Sequence, residues 1–193
     1  KNGTVYTVES AGPDGNFGAD IFVHDRQTGE TQVVSVNSAE AQSLGDAQRP
    51  AISSDGRYVA FSSTASGLVA NDDNEVEDVF VRDRQAGVTT RVSLRDDGGE
   101  AARESFDPAI SADGRYVAFW SYDGSLASLP GGSLGAVYVR DRQAGTTTLI
   151  SRGQNGAPPD SGSYRPRLPA DGGYVAFESD ASNLTDADDD NAA

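Results

Sequence analysis

The chain has 193 residues, 36% of them hydrophobic, with 22 Gly, 8 Pro and neither Cys nor Met. Fifteen basic against 30 acidic residues give a formal net charge of -15, which is repelled by phosphate backbones and anionic membranes and speaks against nucleic-acid binding. No apolar run approaches the roughly 18 residues of a spanning helix, so no membrane insertion is expected, and the absence of Cys excludes disulfides, thiolate catalysis and Cys-based zinc sites.

In chain order, residues 1–48 open with Asn2-Gly3, read as a tight turn, and Val5 to Glu9, read as a strand. Ile21 to Asp25 gives a second strand, closed by a turn at Gln27-Thr28-Gly29 and followed by a third. Residues 49–106 carry a fuller pattern. Pro50-Ala51-Ile52-Ser53 reads as strand A, Asp55-Gly56 as a hairpin turn that wants positive φ, and Tyr58-Val59-Ala60-Phe61 as strand B. An acidic loop then leads to strand C, Asp78 to Arg82, and a Gln-Ala-Gly turn leads to strand D, Thr89 to Leu94. Residues 107–163 repeat the whole pattern 58 residues later, as Asp107-Pro108-Ala109-Ile110 through Asp113-Gly114-Arg115-Tyr116-Val117-Ala118-Phe119 and on to Val137–Gly145. Residues 164–193 repeat strands A and B, ending in a second acidic stretch before any strand C. No window shows a sustained 3.6-residue apolar period, so no helix is expected. Pro at the head of strand A is tolerated because a first strand residue needs no ladder donor.

Units of four antiparallel strands repeating head to tail are the blades of an all-β propeller. The Pro-Ala-Ile-Ser-x-Asp-Gly-Arg-Tyr-Val-Ala-Phe block with its following Val-Phe-Val-Arg-Asp strand resembles the TolB-type propeller repeat. That repeat is related to WD-type blades and to the propeller of prolyl oligopeptidases. The resemblance implies the fold and leaves function open, because such blades serve envelope proteins, peptidase gates and binding scaffolds alike. Two whole blades and two complementary part-blades fall short of the about four to eight blades of a closed ring. The chain, which starts at Lys1 without Met, therefore reads as a processed or cut piece of a longer propeller. Alternatively, it is a subunit that completes its part-blades with a neighbour, giving a homo-oligomer or polymer in ring or filament form. Strand B would then be present twice, and the spare copy would be an exchanged strand.

The acidic loop has the spacing of a cation site. Asp72, Asn74 and Asp78 repeat as Asp14, Asn16 and Asp20, and calcium takes six to eight oxygen ligands of this kind. In the third blade Pro130, Gly132 and Ala136 replace all three together, which fits ligands better than independent turn residues. Asp188 and Asp190 begin a last copy whose third ligand a neighbour would supply. Catalytic signals are poor. His24, the one histidine, matches Arg82 and Arg140 and reads as an exposed strand position. Gly131-Gly132-Ser133-Leu134-Gly135 mimics a nucleophile elbow but lies in a loop between strands. Asp25, Asp83 and Asp141, each followed by Arg, read as turn caps, and Trp120 and Tyr122 as core or interface fill. Asn2 and Asn183 match the glycosylation acceptor pattern. The expectation is a non-enzymatic, calcium-stabilised, self-associating structural protein, secreted or in the cell envelope. The alternatives are a protein- or glycan-binding piece of a larger propeller and a peptidase gate.

Overall fold

The computed structural model describes residues 3–11, 17–127 and 134–186, with residues 3–11, 17 and 155 described by backbone alone. Among them are thirteen strands in four antiparallel sheets. The first sheet holds β1 (Gly3–Ala11), β2 (Phe17–Asp25) and β3 (Thr31–Val33). The second is β4 (Ala47–Ile52), β5 (Tyr58–Ser63), β6 (Asp78–Asp83) and β7 (Val88–Arg91), in that spatial order. The third repeats it as β8 (Ser105–Ile110), β9 (Tyr116–Ser121), β10 (Ala136–Asp141) and β11 (Thr146–Leu149). The fourth pairs β12 (Ser163–Arg167) with β13 (Ala176–Ser179). Two single 3-10 turns, Gly124–Ala127 and Gln154–Gly156, interrupt the expected absence of helix. Each is too short to show an apolar period.

Two expectations are corrected, the first of them at strand A. It begins three residues earlier than its Pro, and the Pro sits at a β-bulge inside the strand. Arg49, Asp107 and Arg165, the residues before Pro50, Pro108 and Pro166, have φ of 52°, 49° and 54°, and the register shifts across each of them. A bulge leaves one residue unpaired, which is where a residue without N–H does least harm. The second correction is at the start of the chain: Gly3 pairs with Asp25 inside β1 and is no turn residue, while Asn2 lies outside the described residues.

The A–B turn is built from its own side chains. The Ser53 hydroxyl donates to Asp55 at 2.6 Å and accepts from the Tyr58 N–H, Asp55 accepts from the Arg57 N–H, and Gly56 takes φ 75°. Ser111, Asp113 and Gly114 copy it. Asp83 and Asp141 cap the C–D turn as expected, each accepting two backbone N–H groups at 3.0 Å. Each also receives a two-pronged arginine from the A–B turn, Arg57 or Arg115. These arginine hydrogen bonds and the capped amides hold both carboxyls down at about 2.

The core lies between sheets. Period-two alternation sends Val59, Phe61 and Phe80 towards the first sheet, where they bury with Ile21, Val23, Val34 and Leu68. Ala60, Val79, Val81 and Val92 face the third sheet and bury with Ile110, Val117, Phe119 and Tyr138. Polar bridges set the stacking. Arg82 was expected to mark an exposed position, and the structure corrects this: it is 2% exposed. Its Nη1 donates to the Asn37 carbonyl of the preceding blade and to Thr89, and its Nη2 pairs with Glu40. Arg140 does the same for the Leu94 and Arg95 carbonyls. A buried guanidinium must satisfy several donors at once, and these carbonyls, with the Thr89 and Thr147 hydroxyls, supply the acceptors.

A third contact is aromatic. Gly114 of the third blade lies flat on the Tyr58 ring of the second, so a Cβ there would sit 2.3 Å from the ring. Gly172 lies on Tyr116 in the same way, at 2.6 Å. Gly29, with a similar φ of 77°, has nothing within 4 Å of a built Cβ. Gly29→Ala is therefore expected to lower stability by about 1 kcal/mol, the left-handed penalty alone. Gly114→Ala is expected to lose at least about 2 kcal/mol, because blade stacking must also shift. Urea denaturation checks this, and equal losses at both glycines would refute stacking on Tyr58.

Candidate functional site

The acidic loop of the second blade is the one group of three or more acidic or imidazole side chains with metal-like spacing among the described residues. Asp72, Asp78 and Glu100 bring carboxylate oxygens within 4.8 Å of one another. Asp78 opens β6 and is fully buried, Asp72 comes from the loop before it, and Glu100 comes from the turn after β7. A guanidinium stands among the three. Arg91, at the end of β7 with a side chain 8% exposed, reaches Asp72 at 3.0 Å, Asp78 at 3.3 Å and Glu100 at 2.7 Å through Nη1. Its Nη2 donates to the Asn71 carbonyl at 2.7 Å, and its buried Nε finds no acceptor.

Of the residues expected from spacing, Asp72 and Asp78 therefore meet, and Asn74 joins them in a different role. Its amide nitrogen donates to Asp78 and to the Ala101 carbonyl, both at 2.9 Å, while its oxygen accepts from the Val76 N–H. Glu100 and Arg91 were not found from sequence because they lie beyond the loop, on the far side of β6. The first blade shows the same frame with different groups. Asp20 accepts from Ser35 at 2.8 Å and from Gln42 at 2.7 Å, where Ser93 and Glu100 stand in the second blade. Val33 takes the place of Arg91. Asp14, Asn16, Asp188 and Asp190 lie outside the described residues. In the third blade Leu149 and Pro158 replace Arg91 and Glu100, alongside Ala136 for Asp78. The joint loss thus removes an ion network entire, leaving no charge without its partner.

Three carboxylates share one guanidinium, and the imbalance shows in their acidity. Burial, reinforced by the Asp78 charge and opposed by Arg91, pushes Asp72 up to about 6. Burial likewise raises Asp78 against its hydrogen bonds from Ser93 and Asn74. The ordinary carboxylate value is near 4. A carboxyl raised in the folded state contributes stability below its unfolded value, and that contribution fades as pH rises through the folded one.

The remaining candidates have structural partners. The His24 ring sits 2.9 Å from the Thr31 hydroxyl across the β2–β3 ladder. Ser133 lies outside the described residues. The Asn183 amide is engaged with the Pro158 carbonyl at 2.9 Å and the Asp160 N–H at 3.2 Å. Trp120 and Tyr122 join Phe106 and Tyr164 in one half-buried aromatic group, with centroids 5.0 to 6.2 Å apart, where the third blade meets the fourth. Arg49 of the second blade covers Phe106 at 5.0 Å and pairs with Asp107 at 3.0 Å.

No protein-family profile matches the chain, and no curated protein matches it in sequence. Solved structures do resemble it. A putative TolB from Agrobacterium tumefaciens superposes with a TM-score of 0.53 and 19% identity, over 92% of this chain and 54% of that one. The tricorn protease gives 0.57 and 15% identity over 92% of this chain, and Porphyromonas gingivalis dipeptidyl peptidase 4 gives 0.51 and 16% over 86%. The chain spans 14% of the first of these two proteases and 26% of the second. The fold is that of TolB-like propeller blades.

Replacing Arg91 by Leu, the third blade's residue, is expected to cost about 3–5 kcal/mol, because it leaves three clustered carboxylates uncompensated. Asp72→Asn should behave oppositely with pH. Its melting temperature relative to the parent is expected to climb between pH 4 and pH 7, as the parent ionises a carboxyl that burial disfavours. A difference that stays flat across that window would exclude the raised Asp72 acidity. Below pH 4 both proteins lose stability together down to about pH 2, as Asp83 and Asp141 take up protons.

Proposed function

We propose that the chain is a non-enzymatic stretch of a larger TolB-like propeller, acting in an envelope or extracellular setting as a scaffold for binding. The observation that carries this reading is the contrast between equivalent strands. Phe61 and Phe119 are fully buried in the two four-stranded blades, whereas Phe177 is only half-buried and Tyr174 is 79% exposed in the last. Surfaces of this kind serve as interfaces to further blades. The likeness to TolB supports the setting at the level of fold, and no helix among the described residues is long and apolar enough to cross a membrane. His24, held by Thr31, supports a structural role for that histidine.

A second reading has the part-blades completed by another copy. It is favoured by their strand inventory, since β1–β3 supply B, C and D and β12–β13 supply A and B. Calcium belongs to this reading as a clamp on the acidic loops. Asp14, Asn16 and Asp20 repeat the loop spacing in the first blade, and Asp188 with Asp190 would share an ion between copies. In the second blade an ion would have to displace Arg91 from Asp72, Asp78 and Glu100.

Light scattering in millimolar calcium and again after chelation separates the two. A monomer in both conditions is expected for a stretch of a larger ring. Regular multiples would replace that reading with self-completion, and their dispersal on chelation would assign calcium to the assembly.

A further inference from the structure

A buried guanidinium at the junction of the second and third blades lacks a partner that its counterpart one blade earlier has. Between the first and second blades, Arg82 directs Nη1 at the Asn37 carbonyl and the Thr89 hydroxyl, and its Nη2 pairs with Glu40. Arg140 directs Nη1 in the same way, at the Leu94 and Arg95 carbonyls, both at 3.2 Å, and at the Thr147 hydroxyl at 3.0 Å. Arg140 is 8% exposed. Among the described residues its Nη2 has neither a hydrogen-bond acceptor nor an ion pair, because Gly98 stands where Glu40 stands.

The backbone around the missing partner is the same at both junctions. The Glu40 N–H donates to the Asn37 carbonyl at 3.0 Å, and the Asn37 N–H donates to the Ala41 carbonyl at 2.9 Å. One repeat later the Gly98 N–H donates to the Arg95 carbonyl at 3.0 Å, and the Arg95 N–H donates to the Gly99 carbonyl at 2.8 Å. Glu40 and Gly98 both take positive φ, 61° and 83°. Glycine thus removes the carboxylate and keeps the turn. A Cβ built on Gly98 has nothing within 4 Å, so the place is open. Its other wall is the C–D turn glycine. Glu40 Oε1 lies 3.3 Å from a Cβ built on Gly87, whereas Gly145 meets only Arg140 Nη2, at 3.8 Å. Nearby charge is committed elsewhere. Asp96 accepts from the Thr147 N–H at 2.6 Å, as the Ser38 hydroxyl does from the Thr89 N–H at 3.1 Å, and Asp141 holds Arg115 and two capped amides. Burial holds Arg140 below its ordinary value, against the pull of Asp96 and Asp141.

We propose that Arg140 is a binding site for a carboxylate, which accepts from Nη2 in the open place between Gly98 and Gly145. The filled counterpart at Arg82 supplies the chemistry: one carboxylate, held over the C–D turn glycine by the outer edge of a buried guanidinium. A planar anion with two oxygens matches that edge, and a charge-assisted hydrogen bond to it is among the stronger kinds. A net charge of -15 repels anions at a distance, so the site favours a single carboxylate held at contact over a polyanion. Every residue involved belongs to the second and third blades. The site therefore holds whether the chain is a stretch of a larger ring or completes its part-blades with a copy.

The probe is sodium acetate, titrated into the full chain against chloride at constant ionic strength, with the backbone amide resonance of Gly145 as the readout. A saturable shift with half-saturation in the millimolar range is expected. Gly98→Glu returns a carboxylate of the chain's own and is expected to weaken acetate binding at least about tenfold. Gly98→Ala carries the same backbone strain without the carboxylate and is expected to keep the parent's affinity. Glu40→Ala should open the matching place at Arg82, so that the Gly87 amide, unresponsive in the parent, shifts with acetate. All three variants leave Arg140 and its carbonyl bridges intact, and circular dichroism verifies the fold. A capped Gly-Ser-Glu-Ser-Gly peptide separates the sources of the ligand. Tighter binding than acetate assigns it to an acidic side chain of a protein partner, and equal or weaker binding to a free small carboxylate, the site standing in either case. Absence of a saturable shift up to molar acetate, equal loss of binding in Gly98→Ala and Gly98→Glu, or a silent Gly87 amide in Glu40→Ala would overturn the site.

Discussion

A four-stranded antiparallel blade has two apolar faces and no means of covering either by itself. In the second blade Val59, Phe61 and Phe80 point one way and Ala60, Val79 and Val81 the other, so two neighbours are needed before either cluster leaves water. Burial at roughly 25 cal/mol per Å² is the main stabilising term available to a chain without disulfides. All else in the structure is arranged around that stacking. The bulge at each Arg-Pro or Asp-Pro step bends strand A, and in the third and fourth blades the A–B turn exposes a flat glycine, Gly114 or Gly172, so that the tyrosine of the preceding blade can approach. Where stacking stops, at β13, the equivalents of fully buried residues are open and the strand itself is shorter.

Stacking of apolar faces is non-directional, and arginine supplies the direction. Fourteen of the fifteen basic residues are Arg, and the structure gives that bias a physical reason. Arg57 and Arg115 clamp the two turns of one blade end to end, Arg82 and Arg140 seize carbonyls of the preceding blade, and Arg142 lies on a tyrosine of the preceding blade. Each task uses several donors fanned in one plane, and the last uses the flat face of the cation as well. A lysine ammonium offers a point charge and no plane, so it cannot replace them.

Arg91 extends the same habit to the acidic loop. Spacing along the loop brings Asp72 and Asp78 to one place, and the position of β7 then delivers a guanidinium to them. The pattern of retention and loss across blades has two physical sources that look alike in sequence: ligands to one ion disappear together, and so do the members of an internal ion network. What distinguishes them is the fate of residues outside the loop. Leu149 and Pro158 in the third blade and Val33 and Gln42 in the first show that Arg91 and Glu100 change as a pair, which ties the glutamate to the arginine.

The repeat of 58 residues, the four strands per unit, the Asp-Gly turns with positive φ and the capping Asp of each C–D turn were all legible in the sequence, because each depends on residues within a few positions of one another. The count of strands in each part-blade followed from the same local signals. The interior bulge at each Pro, the burial of Arg82 and Arg140, and the meeting of Arg91 and Glu100 with Asp72 and Asp78 were not legible. Their partners lie on other strands or in other blades, and a side chain's periodicity states which face it takes without stating what covers that face. Sequence alone thus determined the blade. Tertiary structure decided which polar side chains are buried and which face is left open, because both are set by whether a neighbouring sheet is present to accept them.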